Sequence, residues 1–479
     1  MKIYLKLIFV FLFLFVASTH SSFSQKKVKS LILTDEQIKA SKEYYSIEEA
    51  ILNRKKAYIL NLENQKLNSI PEDISKLQNL QVLKLGYNQL DKLPEELFKL
   101  INLQYLTLNN NRLSTIPEAI GNLNHLKVLK IQENKLITLP EAVGKLSQLE
   151  TLLCSENLLT QLPESIGNCK KLQVIDLFNN KLERLTNAIG NCTELKTLEL
   201  NWNNLSVLPE ELSNLKRLEI LHLQKNKLQH LPTEIGNLTH LNEILIDENG
   251  LEDLPESIGK LVNLKELVLS KNQLSVLPFS IGGLANIRVL DVSQNKLTSV
   301  PESLKDLTNL GELYLHNNQL SVLKGEAFNI VNLRILNLSL NEIVVFDCVV
   351  DKCKLLQFID FEKNKLSKFP DCITNVTSIQ QLNFNRNLLT DIPKSILNLR
   401  NLKELDFSQN EIITLPLNLF QLADLEVLDL SQNKLQIIPL NFNQSKSLKL
   451  LDVSGNPFYK WHVKQIKEKL SGIQELFID

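Results

Sequence analysis

Asparagine recurs every 23 residues, without a slip, from Asn88 to Asn456. The series 88, 111, 134 and onward holds 17 asparagines, and Gln65 stands one period before it. Each asparagine sits in the same apolar skeleton. In Leu218–His240 (LEILHLQKNKLQHLPTEIGNLTH), Leu218, Leu221, Leu223, Leu228, Leu231, Ile235 and Leu238 surround Asn226. The unit is copied 18 times between Ala57 and Phe458, with no insertion or deletion. A unit this short cannot bury its own apolar face, so it must stack on its neighbours, and the fixed period predicts a solenoid. A chain of 479 residues would otherwise predict several globular domains, but a solenoid lengthens by adding turns.

Within a copy, Leu221 and Leu223 alternate with His222, the period of a strand. One strand per turn, stacked about 4.8 Å apart, predicts a parallel sheet some 85 Å long. Asn226 follows the strand, and its amide can pair backbone groups that no helix or hairpin satisfies. The second half, Leu-x-x-Leu-Pro-x-x-Ile-Gly-x-Leu, carries proline in 14 copies, including Pro71, Pro94, Pro232 and Pro439. Proline at a helix start and glycine just past its end leave room for about one helical turn. The prediction is an α/β fold: a curved solenoid of about 18 turns, with the parallel sheet on the concave face and short helical turns on the convex face. Thr186, Lys324 and Asp347 replace the proline, so 320–353 is expected to have a locally altered convex side.

The ends differ from the array. MKIYLKLIFVFLFLFVASTHSSFSQ places Lys2 and Lys6 before an apolar run from Leu7 to Ala17, then Ser22 and Ser24 at −3 and −1 of a cleavage site. This reads as a signal peptide over 1–24, its apolar run being short of the roughly 20 residues of a membrane span. Retention as a signal anchor, or an intracellular location, is the alternative. After cleavage 51 basic side chains face 54 acidic ones, with no membrane span. A secreted, periplasmic or cell-surface location follows. Residues 25–56 form an N-terminal segment: Lys26–Lys29 is expected to be mobile, and Ser46 with Glu49 forms a capping box for a short helix to about Asn53. Residues 459–479 close the other end of the 57–458 array, with a helix at Tyr459–Leu470 and a strand-like run at Ile473–Ile478.

The near-neutral balance, 53 Lys and Arg against 54 Asp and Glu, argues against a nucleic-acid partner. Six cysteines leave two readings open. Cys154, Cys169, Cys192 and Cys353 stand at core positions. Cys348 and Cys372, 24 residues apart and expected on the outer side, are either bridged or free like the rest. No CxxC pattern points to zinc.

These residues resemble the leucine-rich repeat family. Copies such as 116–126 and 254–264 look like the 23-residue subclass of Ras-suppressor and Scribble-type proteins. The resemblance covers residues 57–458 and implies a curved solenoid that binds partner macromolecules on its concave sheet. The signal peptide departs from the cytosolic members of that subclass and argues against a small-GTPase partner.

Function is expected where the copies differ. The exposed positions of a strand are those of Glu219, Ile220, His222, Gln224 and Lys225. Copies 13–18 hold bland polar residues there, whereas copies 2–12 hold Tyr87, Tyr105, Leu153, Phe178, Trp202, His222, Leu245, Val268, Tyr314 and His316. Aromatic and apolar residues gathered on one face predict a recognition surface. The nearby Glu156, Asp176, Glu199, Asp247 and Glu248 favour a partner with positive groups. A protein or peptide ligand is the first expectation and a glycan the second, bound by a monomer without cofactor or metal. Asp406, Asp429 and Asp452 stack on successive strands, yet no carbonyls or bidentate glutamate complete a calcium cage. No nucleophile faces His222, and no phosphate loop, HExxH or GxSxG occurs, so no enzyme is expected.

Overall fold

A computed structural model describes residues 32–440, 447–470 and 473–479. The expected signal peptide over 1–24 and the segment at Lys26–Lys29 lie outside the described residues. The chain falls into two units, Met1–Ser41 and Lys42–Asp479. In the first, a helix spans Asp35–Lys39. Its N-cap Thr34 accepts the Gln37 N–H at 3.3 Å, while the Gln37 side chain accepts the Thr34 N–H at 2.9 Å. This reciprocal capping box went unread in the sequence.

The second unit is a parallel sheet of 20 strands on one side and short connectors on the other. Each copy gives one three-residue strand, from Ile59–Asn61 to Leu450–Asp452. The register advances by one period: Leu221 lies opposite Leu198 and Ile244. Two further strands complete the sheet, Glu43–Tyr44 before the array and Glu475–Phe477 after it. The middle residue of each strand points into a continuous core of leucine and isoleucine. Towards the C-terminal end phenylalanines take over one core row. Phe361, Phe384 and Phe407 stack with ring centroids 5.1 and 5.3 Å apart.

The asparagines join the turns to each other. The Asn226 Nδ2 donates to the carbonyls of Leu223 in its own turn and Leu200 in the turn before, both at 3.0 Å. Its Oδ1 accepts the Leu205 N–H at 2.9 Å. The same bonds recur from Asn88 to Asn456. Gln65, in the first copy, instead donates to the Tyr45 carbonyl at 2.8 Å. A buried polar group is stabilising only when its bonds are made, and here one side chain satisfies three backbone groups otherwise left bare.

The residue before each asparagine, and before Gln65 in the first copy, is left-handed, with φ between 51° and 60° at the 17 of these 18 that are not glycine. That reversal turns the chain out of the strand. It also holds the side chain of this position, Trp202 or Lys225 for example, off the sheet rather than in the core.

The convex connectors are mostly 3₁₀ turns of five residues, as at Glu118–Asn122, with the proline as N-cap. Glycine lies inside these turns, not past their ends as expected. Its reason is close approach: a Cβ on Gly236 would stand 2.0 Å from the Ser257 carbonyl oxygen of the next turn. Where proline lapses in consecutive copies, Val322–Gly325 and Val345–Cys348 form a small parallel pair of their own. Extended backbone replaces the 3₁₀ turn there, and the altered convex side at 320–353 is real.

Cys348 is buried, not on the outer side as expected, because this extension turns it inward. All six cysteines are free thiols. Burial, and then Cys372, push the Cys348 thiol up to about 12.

At the N-terminal end of the unit, a helix at Ile47–Leu52 starts on Ser46, whose side chain accepts the Glu49 N–H at 3.1 Å. Glu49 does not complete the box; it pairs with Lys42 at 2.8 Å. At the other end a helix spans Lys460–Lys469, and its buried His462 Nε2 accepts the Ile438 N–H at 2.9 Å. Among the described residues no helix is long and apolar enough to cross a membrane.

Two substitutions test this framework. Asn226→Leu leaves the Leu205 N–H and two carbonyls unpaired and is expected to lower unfolding free energy by roughly 3 kcal/mol or more. Gly236→Ala forces the next turn away and is expected to lose about 1–3 kcal/mol. Urea denaturation measures both; a loss under 0.5 kcal/mol for Asn226→Leu contradicts the role of the ladder.

Candidate functional site: the inner face of the sheet

Copies 5–9 bring Leu153, Phe178, Trp202, His222 and Leu245 onto five consecutive strands or the turns that follow them. The Phe178 and Trp202 rings meet edge to face, with centroids 6.4 Å apart. The Lys225 ammonium lies 3.6 Å from the Trp202 ring centre, a cation–π contact. Trp202 is 48% exposed, a large apolar area for a side chain held by its own backbone geometry. In the same two turns the buried Asn201 Oδ1 and Gln224 Oε1 have no hydrogen-bond partner among the described residues. Such atoms are uncommon in native proteins and call for a donor.

His222 is clamped between two carboxylates. Its Nδ1 is 2.7 Å from Glu199 on one neighbouring strand, and its Nε2 is 2.9 Å from Glu243 on the other. Burial works against the imidazolium, but the two hydrogen-bonded carboxylates overcome it and lift His222 to about 9. The sequence places Glu199 and Leu245 beside His222 in register; the diagonal reach to Glu243 needed side-chain directions that a repeat pattern does not carry.

Leu245 departs from expectation. It is 4% exposed, because side chains on the inner side of a curved sheet converge and those of the adjacent strands cover it. It supports the surface from below and is not part of it.

The other expected residues stand apart. Tyr87 is 53% exposed in copy 2, and Tyr105 is half-buried on the next strand. Tyr314 and His316, three copies beyond Leu245, meet edge to face at 6.5 Å. The Tyr314 hydroxyl donates to Glu312 at 2.8 Å, and burial with that carboxylate pushes it up to about 12. Burial lowers His316, whose buried Nδ1 is unpartnered. The expected surface is thus three clusters rather than one.

The acidic surplus is largely committed within the protein. Glu199 holds His222, and Glu248 lies 3.0 Å from Lys271 and 3.8 Å from Lys225. Asp176 accepts the Phe178 N–H at 3.0 Å, while burial raises it to about 6. The same bond explains the C-terminal aspartates. Asp406, Asp429 and Asp452 each accept the N–H two residues on, at 2.8–2.9 Å, and so brace the turn after the strand. Among the described residues no three His, Cys, Asp or Glu side chains gather to hold a metal.

The histidine clamp has a pH signature. A folded-state value of about 9 against 6.5 means its stabilisation is full below about pH 6.5 and is lost as pH rises through about 9. At about 1.4 kcal/mol per unit, the clamp is worth on the order of 3 kcal/mol. Unfolding free energies at pH 6.5 and 9.5 are expected to differ by that much more in the parent than in His222→Gln. Equal pH slopes contradict the clamp.

The comparisons with known proteins agree with this geometry. The family pattern described as leucine-rich repeat region matches residues 95–206 and 234–347, and the leucine rich repeat pattern matches 55–113 and 400–458. A comparison with curated proteins finds no match. A solved leucine-rich repeat protein of Leptospira interrogans is 32% identical, over 92% of this chain and 100% of that one, with a TM-score of 0.61. The plant peptide hormone receptor RGFR1, solved in complex with RGF2, is 28% identical over 91% of this chain and 80% of its own, with a TM-score of 0.68. An internalin, inlF, of Listeria monocytogenes shares the fold at 22% identity, over 78% and 89% of the two chains, with a TM-score of 0.53. A repeat spacing, an asparagine ladder and a full-length relative agree, and the chain belongs to the leucine-rich repeat family.

Proposed function

We propose that the chain is a non-catalytic, exported recognition protein that binds a protein or peptide on the inner face of its sheet, around Trp202. One observation carries this reading: an exposed Trp202 ring, packed edge to face on Phe178 and carrying the Lys225 ammonium. An exposed aromatic anchor beside a cation fits a peptide, since tryptophan is among the residues that most often carry interface energy. The plant receptor, 28% identical and in complex with RGF2, supports a peptide class of ligand. One face of Trp202 carries the Lys225 ammonium, which favours a peptide over a sugar stacked on that face.

In this reading Phe178, Trp202 and His222 make the central contact, with Leu153 beside them and Leu245 as support. Tyr87 with Tyr105, and Tyr314 with His316, are flanking contacts for an extended or folded partner. Residues 57–458 are the recognition array of the 23-residue Leu-Pro-x-x-Ile-Gly-x-Leu subclass, 25–56 and 459–479 are its caps, and 1–24 is a signal peptide. The mature chain acts as a monomer in the periplasm, at the cell surface or outside, without a membrane span, a cofactor or a nucleic-acid partner. His222 is held by two carboxylates and serves as a fixed charge in this surface, not as a base.

Affinity capture with the mature chain tests the reading. Trp202→Ala with Phe178→Ala is expected to weaken retention of the captured partner at least tenfold, the scale of a hot-spot loss, without changing the unfolding midpoint by more than a few degrees. Unchanged capture contradicts this face, and binding confined to a glycan array contradicts the peptide. N-terminal sequencing is expected to begin at Gln25; an intact Met1 in the cytosol sinks the export claim.

A further inference from the structure

Charged side chains on this solenoid are commonly paired across adjacent turns. Arg217 pairs with Glu194, Lys271 with Glu248, Lys365 with Glu342, Lys434 with Glu411 and Lys449 with Glu426. One stretch breaks this habit. At the residue preceding the strand, successive turns carry Lys265, Arg288, Gly311 and Arg334. All three cations are exposed, and none makes an ion pair among the described residues. In the same row further on, Lys449 pairs with Glu426 and Lys403 stands alone, so only at 265–334 do bare cations follow one another across neighbouring turns.

These residues line a depression of about 740 Å³, with Asn286 and Asn309 at its border. Gly311 opens it: a Cβ there would meet only the Arg288 carbonyl oxygen, at 3.6 Å, so the backbone tolerates a side chain that the sequence omits. The Asn286 and Asn309 Nδ2 atoms donate to the carbonyls of Val262 and Ala285, both at 2.8 Å. Their Oδ1 atoms take no bond from the described residues and remain acceptors. The one carboxylate in the depression close to Arg288, Glu312, accepts the Tyr314 hydroxyl. Among the lining residues the balance is three cations to one engaged carboxylate, with Glu266 on the neighbouring face near enough to Glu312 for the two to repel.

We propose that this depression is a second binding site, separate from the Trp202 surface, and that it takes an acidic segment of extended peptide. Lys265 and Arg334 are three strand spacings apart, about 14 Å. Four residues of extended chain span about 13–14 Å, so carboxylates at the first and fifth positions of a peptide running along the array face Lys265 and Arg334, with Arg288 between them. Arginine forks suit carboxylates, and the asparagine oxygens accept the peptide N–H groups. A run of three cations is short for the backbone of a nucleic acid, and no aromatic ring lines the depression for a sugar.

The probe is a fluorescein-labelled nonapeptide with glutamate at alternate positions and serine between, read by fluorescence anisotropy at low salt. Binding is expected, with affinity at least thirtyfold weaker for Arg288→Ala with Arg334→Ala and also for Gly311→Leu, which fills the space without reversing charge. Lys403→Ala, in the same row but remote, and Trp202→Ala are expected to leave it within twofold. The Trp202 variant separates this proposal from the one above. Failure of the peptide to bind, equal binding by the arginine variant, or loss in Trp202→Ala overturns the site. So does a sulfated hexasaccharide or a single-stranded oligonucleotide that binds tenfold tighter than the peptide.

Discussion

The ladder of buried asparagines is the interaction on which the rest of the second unit depends. A strand of three residues has little backbone to pair, and the turn after it leaves carbonyls facing the core. Each asparagine closes that gap within its turn and reaches the turn before, as Asn226 does through Leu223 and Leu200. Because the bonds cross turns, each asparagine must stand in register with the turn before it. That constraint accounts for a count that runs from Asn88 to Asn456 without insertion.

The rigid spine releases the residues around it. The position before each asparagine is left-handed, a conformation that costs about 1–2 kcal/mol for residues with a Cβ. Glycine would remove that strain, yet only Gly455 takes it up, and the other 17 copies carry side chains. The spine holds each of them out over the sheet at a fixed spacing. Trp202 and Lys225, one turn apart, meet there as ring and cation. Variation at this position alters the surface and leaves the stack intact.

Much of this is legible in the sequence, because a repeat prints the same physical requirement many times. The asparagine, the strand alternation, the proline at each convex turn and the Ser46 cap are read directly. Most of the misses concern contacts between copies, which a single unit does not encode, and the rest concern local backbone bonding. Gly236 is small because Ser257 of the next turn lies against it, not to end a helix. Leu245 is covered by its neighbours although its position in the copy is an exposed one. Asp406 and its two successors are bound to the backbone two residues on, a role that weighing them as metal ligands did not anticipate. Glu243 reaches His222 diagonally, a direction set by rotamer and not by spacing. Cys348 turned inward because loss of the proline made its segment extended.

Scaffold and recognition therefore divide between adjacent residues, and Trp202 and Asn203 are the sharpest case. Asn203 donates to the Leu177 and Leu200 carbonyls, both at 2.9 Å, and accepts the Leu182 N–H at 3.0 Å. The decisive measurement is the equilibrium unfolding free energy of Trp202→Gly beside that of Asn203→Leu. Trp202→Gly is expected to lie within about 1 kcal/mol of the parent, since relief of the left-handed strain offsets lost ring contacts. Asn203→Leu is expected to lose roughly 3 kcal/mol or more. Equal losses for the two would contradict the division of labour.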